Sequence, residues 1–186
     1  MSTRATIIVA MLGGAVLVGA PAWMGNRPQF IWNASASVPT GLYRVEPADR
    51  IGVADIAVVM PPEPLADFLA ERGYLPNGVP LLKRVLALGE GTVCRQGTAT
   101  IAYGVTFGLA RERDSRGRTL PVWQGCRVIA GDEVFLMNWD AADSFDSRYF
   151  GPLPLTSIIG RAVPVWTIDA TSPAPNTSGK PVAGEP

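Results

Sequence analysis

A mainly β body behind one N-terminal transmembrane helix is the fold class that the sequence predicts. Three observations predict it. An uncharged, strongly apolar run opens the chain. Behind it come short runs of Val, Ile and Leu, bounded by Gly, Pro and Asp. Twenty Gly and 17 Pro are spread over 186 residues, more helix breakers than a helical body tolerates.

The first element follows Arg4. Residues 5–25 carry no charge, and Ile7 to Val18 form the apolar centre. About 20 such residues cross a bilayer as a helix. Arg4 and the amino terminus put positive charge on the cytoplasmic side, so the body is expected outside the cytoplasm. Trp23 is expected at the far interface. Ala20-Pro21-Ala22 also fits the small-residue pattern of a cleaved signal peptide, and the body is exported on that alternative too. The expected organisation is an anchor over 1–26, one domain over 27–170 and a tail over 171–186. The tail is Pro, Gly, Ser and Thr with almost no large apolar group, and is expected to be disordered.

Within the body, strands are expected at 41–45, 56–60, 81–88, 133–138 and 158–167. One helix is expected at 64–72. There Leu65, Phe68 and Leu69 stand at i, i+3 and i+4, and Gly73 supplies a stop. Such a helix covers a sheet edge or, on a sharper reading, meets the membrane or a substrate; the first is the simpler expectation.

Absences narrow the chemistry. The chain has no histidine, which excludes Ser-His-Asp and Cys-His mechanisms and His-ligated metal. Its only lysines are Lys83 and Lys180, and Lys180 lies in the tail, where nothing depresses its pKa. Formal net charge is zero and no Lys/Arg run is evident, so nucleic acid is not an expected partner. Cys94 and Cys126 have no CxxC spacing, which speaks against a metal or redox motif. The alternatives are one disulfide or two buried thiols, and export favours the disulfide.

Three segments carry chemistry. In Ser35-Ala36-Ser37-Val38-Pro39-Thr40-Gly41, small residues surround Ser37, and Pro39 and Gly41 suit a turn that presents its hydroxyl. Ser-rich turns near anchors are common, so this segment alone carries little. Lys83 sits within Leu81-Leu82-Lys83-Arg84-Val85-Leu86, a run that reads as a buried strand. Burial disfavours an ammonium, and a neutral amine can take a proton from a serine hydroxyl. The bland alternative is an edge lysine whose stem packs while its amine reaches water. In Asp143-Ser144-Phe145-Asp146-Ser147-Arg148, alternation would place Ser144, Asp146 and Arg148 on one side of an extended chain. Ser144 could then orient the Lys83 amine while Asp146 and Arg148 pair, or the stretch is a solvated acidic loop.

In this order the segments resemble the type I signal peptidase superfamily of Ser/Lys proteases. The resemblance is greatest to its TraF-type branch, the maturation peptidases of conjugative plasmid transfer. It covers blocks at 35–43, 54–59, 81–93, 128–138, 144–151 and 158–166. The Lys-Arg-Val and Asp-Ser-Arg-Tyr-Phe-Gly strings make it specific, and Ala70-Glu71-Arg72-Gly73-Tyr74-Leu75-Pro76 points to the conjugative branch. It implies a signal-peptidase-like β body with Ser37 as nucleophile and Lys83 as general base. It implies Ser35 as an oxyanion donor beside the Ser37 N–H, and Ser144 as the hydroxyl bonded to the lysine. Asp146 and Arg148 match an ion pair, and in the conjugative branch the aspartate has itself been given a catalytic role. Two places depart from the general family: the segment after Ser37 is one residue shorter, and Met137-Asn138-Trp139-Asp140 replaces Gly-Asp-Asn-Arg.

The function so implied is a serine endopeptidase of the bacterial inner membrane with its catalytic domain in the periplasm. Its substrate would be a pilin-type precursor, released by hydrolysis or by ring closure, and it would meet components of a type IV secretion or conjugation apparatus. No metal or organic cofactor is implied. Two rival readings share most of these residues: a general signal peptidase for many preproteins, and a non-catalytic assembly factor of the transfer machinery. A self-cleaving repressor fits less well, because no DNA-binding motif is evident and the chain begins with an anchor-like run.

Overall fold

The computed structural model describes residues 3–23 and 29–168. The expected anchor boundary at 26/27, the side chain of Trp23 and the expected disordered tail lie outside the described residues. The described part opens with helix α1 (Thr3–Trp23), 21 residues long. Among the described residues no helix is long and apolar enough to cross a membrane; the side chains of Leu17, Val18 and 20–23 lie outside them.

Eleven strands and two further helices follow. They are β1 (Phe30–Asn33), β2 (Gly41–Glu46), β3 (Ile56–Val59), α2 (Glu63–Glu71), β4 (Leu81–Leu88), β5 (Thr92–Gln96), β6 (Ala99–Ala102), β7 (Val105–Leu109), β8 (Gly125–Val128), β9 (Glu133–Leu136), α3 (Ser147–Phe150), β10 (Leu153–Pro154) and β11 (Ile158–Thr167). The body is mainly β, as expected. All five expected strands form, and the expected helix is α2, shifted by one residue. Pro64 suits its first turn, where a missing N–H costs nothing, and Leu65 and Leu69 turn inward.

The larger sheet has seven strands in the order β1-β2-β11-β3-β4-β9-β10. Every pairing is antiparallel. β4 lies between β3 and β9 and is buried along most of its length, which its unbroken apolar run requires. Across the pair, Ala57 of β3 stands opposite Lys83 of β4. One core cluster joins α2 to the sheet through Leu65, Leu69, Ala57, Val59, Val85 and Leu136. A second gathers Val38, Tyr43, Val58, Leu82 and Ala162, so the expected nucleophile turn is anchored through Val38.

Gly41 opens β2 with φ +152°. A Cβ there would come 2.1 Å from the Trp166 carbonyl oxygen of β11, closer than any side chain can approach. Glycine therefore lets β11 close against the strand that follows the Ser37 turn.

The second sheet, in the order β7-β6-β5-β8, was not expected from the sequence. Its strands are short and carry Arg, Gln, Thr and Gly, and β8 is exposed throughout. Cys94 and Cys126 stand opposite each other in the β5–β8 pair and form a disulfide. Closing a loop of this length stabilises a fold by about 3–4 kcal/mol. Replacing both cysteines with serine is therefore expected to lower Tm by about 10 °C, measured by thermal melts with and without reductant. An unchanged Tm would show that the loop is held by its strand pairing alone.

Candidate active site

The sequence builds the first wall of the site as a wide hairpin. β1 and β2 pair with Asn33 opposite Gly41, leaving 34–40 as the connection that carries Ser35 and Ser37. Pro39 fixes its own φ, and the buried Tyr43 hydroxyl donates to the Pro39 carbonyl at 2.6 Å. Ser37 is half-buried, and its N–H donates to no protein acceptor among the described residues. The Ser35 hydroxyl donates to Asn33 Oδ1 at 2.9 Å.

β4 supplies the second wall. Lys83 is only 4% exposed although it carries an amine. Its Nζ donates to Ser144 Oγ at 2.7 Å, the contact that the resemblance implied. Burial lowers the Lys83 pKa to about 8, against an upward pull from Asp146 and a further downward push from Arg148. The backbone on either side of Lys83 is held by one side chain, Asn138. Its Oδ1 accepts from the Arg84 N–H at 2.7 Å and its Nδ2 donates to the Leu82 carbonyl at 3.3 Å. Asn138 follows β9 and serves β4 as a substitute strand partner just past the end of the ladder.

Asp146 and Arg148 form a buried bidentate pair, at 0% and 1% exposure. Arg148 Nε donates to Asp146 Oδ1 at 2.8 Å and Nη2 to Oδ2 at 2.9 Å. Asp146 also accepts from the Asn138 and Arg148 N–H groups, the second as the cap of α3. Arg148 Nη2 further donates to the carbonyls of Ala141 and Ser144. These residues were expected to share one side of an extended strand. They converge instead through a turn and a capped helix, because Asp146 prefers to satisfy the free N–H groups of α3. Asp146 does not line the cleft, and both its oxygens are occupied. Its influence on Lys83 is electrostatic.

Ser37 and Lys83 line the same cleft, of about 620 Å³. Ile31, Trp32, Leu81 and Val79 make one part of it, and Leu69, Tyr74, Phe145 and Tyr149 another. Helix α2 therefore does more than cover the sheet: Leu69 serves both the core and the cleft. Among the described residues no hydrogen bond joins Ser37 to Lys83. The far rim is the segment 111–118, which holds four arginines interleaved with Glu112 and Asp114. The interleaving hides this basic stretch from a search for Lys/Arg runs. Asp114 braces it, accepting from the Tyr74 hydroxyl at 2.5 Å and from Arg118 Nε at 2.7 Å. Burial alone would raise the Asp114 pKa, but these donors hold it well below the usual carboxylate range.

Sequence reasoning did not single out Asn33, Asn138 or Arg95. Arg95 is buried on β5 and donates to the Arg148 carbonyl at 2.6 Å, tying the second sheet to α3. Its signal was weak: an arginine in a short strand beside a cysteine.

The family model for signal peptidases of the S26 class matches residues 2–167. The chain belongs to the S26 signal peptidase family. It is a TraF-type member of that family. A conjugal transfer protein TraF from Agrobacterium fabrum is 36% identical over 180 residues, covering 91% of this chain and 99% of the relative. A plasmid transfer protein TraF from Escherichia coli is 30% identical over 175 residues, covering 86% and 98%. A signal peptidase I of known structure from Enterococcus faecalis is 19% identical, with a TM-score of 0.37 over 61% of this chain and 97% of that one, too slight a likeness to argue from.

The burial of Lys83 has a measurable cost. A folded-state pKa of about 8 against the ordinary 10.5 means the folded chain binds fewer protons than the unfolded one between those values. Stability therefore rises with pH through that window, and below it the folded state carries a penalty of about 3 kcal/mol for the buried ammonium. Lys83→Met is expected to raise stability by about 1–3 kcal/mol at pH 7, with the gain shrinking above pH 10. Thermal melts of both proteins at the two pH values check this; a difference independent of pH would contradict it.

Proposed function

We propose that this S26 family member is a membrane-anchored serine endopeptidase that matures an exported pilin-type precursor for conjugative transfer. Ser37 is the nucleophile and Lys83 the general base. The observation that carries the reading is the buried Lys83 amine, with its lowered pKa, in the same cleft as a serine on a tight turn. A neutral amine near pH 8 can accept the Ser37 proton, and a bound substrate that excluded water would lower its pKa further.

In the proposed reaction, Lys83 takes the Ser37 proton as Oγ attacks the scissile carbonyl. The developing oxyanion meets the Ser37 N–H and the Ser35 hydroxyl, which turns from Asn33 to reach it. Each such donor contributes about 2.7–4 kcal/mol in comparable sites. Lys83 then gives its proton to the leaving amine, leaving an acyl-enzyme on Ser37. Water or a free amino terminus releases the acyl group, giving a linear or a cyclic product. Ser144 keeps the Lys83 amine aimed, and the Asp146–Arg148 pair fixes the Ser144 loop.

Several features support the membrane and the compartment. At 1.5 Å per residue the 21 residues of α1 span about 30 Å, the thickness of a hydrocarbon core. Its described apolar side chains, from Ile7 to Val16, are exposed among the described residues. Phe30 and Trp32 of β1 and Val165, Trp166 and Ile168 at the end of β11 are exposed, and Trp32 stacks on Trp166 at 5.9 Å. Such an apolar surface suits a body resting against lipid, and a disulfide suits an oxidising periplasm. The conjugative role, and contact with the transfer apparatus, rest on the TraF relatives.

The reading is tested by cleavage of the pilin precursor of its own transfer system in membranes, followed by mass. Wild type is expected to cut, and Ser37→Ala and Lys83→Ala to lose at least about 1,000-fold in rate. Hydrolysed and cyclised products differ by one water. Cleavage of unrelated preproteins instead would favour a general signal peptidase, and no cleavage of either an assembly factor. The pH profile gives a second check. kcat/KM is expected to rise through about pH 8 and then level, with the limb in kcat lying lower because substrate covers the amine. A rate that is flat or falling from pH 6.5 to 9 would remove Lys83 as the base.

A further inference from the structure

We propose that Asn33 is the positioning residue of the nucleophile turn, and that its carboxamide sets both the direction of Ser37 and the resting state of the Ser35 hydroxyl. The proposal rests on the peptidase reading above and adds a residue to it.

Asn33 ends β1 and is buried, 6% exposed, with its side chain inside the mouth of the 34–40 loop. Its oxygen accepts two donors from Ser35, the N–H at 3.2 Å and the hydroxyl at 2.9 Å. Its nitrogen faces three carbonyls: Ser35 at 2.8 Å, Val38 at 3.0 Å and Pro39 at 3.1 Å. The loop thus folds inward on one side chain, which meets backbone groups on both sides of Ser37. With those carbonyls drawn inward, the Ser37 hydroxyl and N–H are left on the cleft side.

The chemistry selects asparagine. The turn needs an acceptor and two donors on a stem one carbon long, and a primary amide alone offers them. Aspartate keeps the acceptor but presents a second anionic oxygen to three carbonyls. Glutamine is a methylene too long for a site this full. Alanine leaves the carbonyls buried without a donor. The Ser35 hydroxyl is held by the same group, so its move toward an oxyanion exchanges one charge-neutral acceptor for a charged one. That gain appears only as the oxyanion forms, which makes the contribution one to kcat.

The test compares Asn33→Ala and Asn33→Asp with the full-length wild type on the same pilin precursor, at a temperature where circular dichroism shows all three folded. Both variants are expected to lose about 100-fold in kcat with KM changed less than threefold, as a misplaced reacting atom costs. Asn33→Asp carries a distinguishing signature. Its buried carboxyl, facing carbonyls, has a raised pKa, and on protonation it regains one O–H donor. The ratio of its kcat to that of wild type is therefore expected to rise about tenfold from pH 8.5 to 6.5. Asn33→Ala, in which position 33 does not titrate, supplies the baseline against which that rise is read. Asn33→Ala should show no such recovery. Variants that keep kcat within threefold, or a loss carried by KM, or a flat Asn33→Asp ratio, would overturn the positioning role while leaving the peptidase reading intact. A wild type that cannot cut overturns both.

Discussion

The Lys83 ammonium lies on β4, near the middle of the larger sheet, with a single hydroxyl as its hydrogen-bond partner among the described residues and with a carboxylate, Asp146, that is already tied to Arg148. An unpaired cation in that position is destabilising by itself, so the surroundings are arranged to limit the damage without neutralising it. Asp146 pulls the pKa up and Arg148 pushes it down, so the pair acts on Lys83 almost as a dipole. Had Asp146 faced the amine without its arginine, it would have formed a buried ion pair and raised the pKa of the amine. The buried pair therefore lets a carboxylate organise the loop without giving its full charge to the lysine.

The parts of the fold visible in the sequence are those with enough apolar length to signal a period. β4 and β11 announce themselves by long Val, Ile and Leu runs, and α2 by Leu65 and Leu69 before a glycine. β5 to β8 do not. They are four or five residues long, one face is wet, and β5 buries an arginine where a hydrophobe would have signalled a strand. In the site, Lys83 stood out because elimination left it alone, whereas Ser37 stood out only through the resemblance that the ordered segments carry together. Asn33 and Asn138 were not legible. Asparagine at the end of a strand reads as a turn former, and nothing in the sequence tells that its amide will be buried against backbone, of its own loop for Asn33 and of β4 for Asn138.

Those two asparagines make a common point about precision. Neither the turn that carries Ser37 nor the strand that carries Lys83 is completed by its own ladder: β1 stops at Asn33, and β9 stops before it can pair with the stretch around Lys83. A side-chain amide finishes each, supplying a donor and an acceptor in the spacing of a peptide group. The ladder ends where space for a substrate begins, and the backbone there is still held to hydrogen-bond accuracy. The opening between the two walls is thereby kept without loosening the backbone that holds Ser37 or Lys83.

β11 is the last of the described strands, yet it lies between β2 and β3. No stable seven-stranded sheet can form until residues near 167 are available, because two of the earliest strands have no direct pairing with each other. Most of its contacts join segments distant in sequence, a pattern that slows folding. The seven-stranded sheet is therefore completed only when β11 fills the gap between β2 and β3. On the proposed export of the body, that dependence on the last described strand would keep the sheet incomplete until the whole body had crossed.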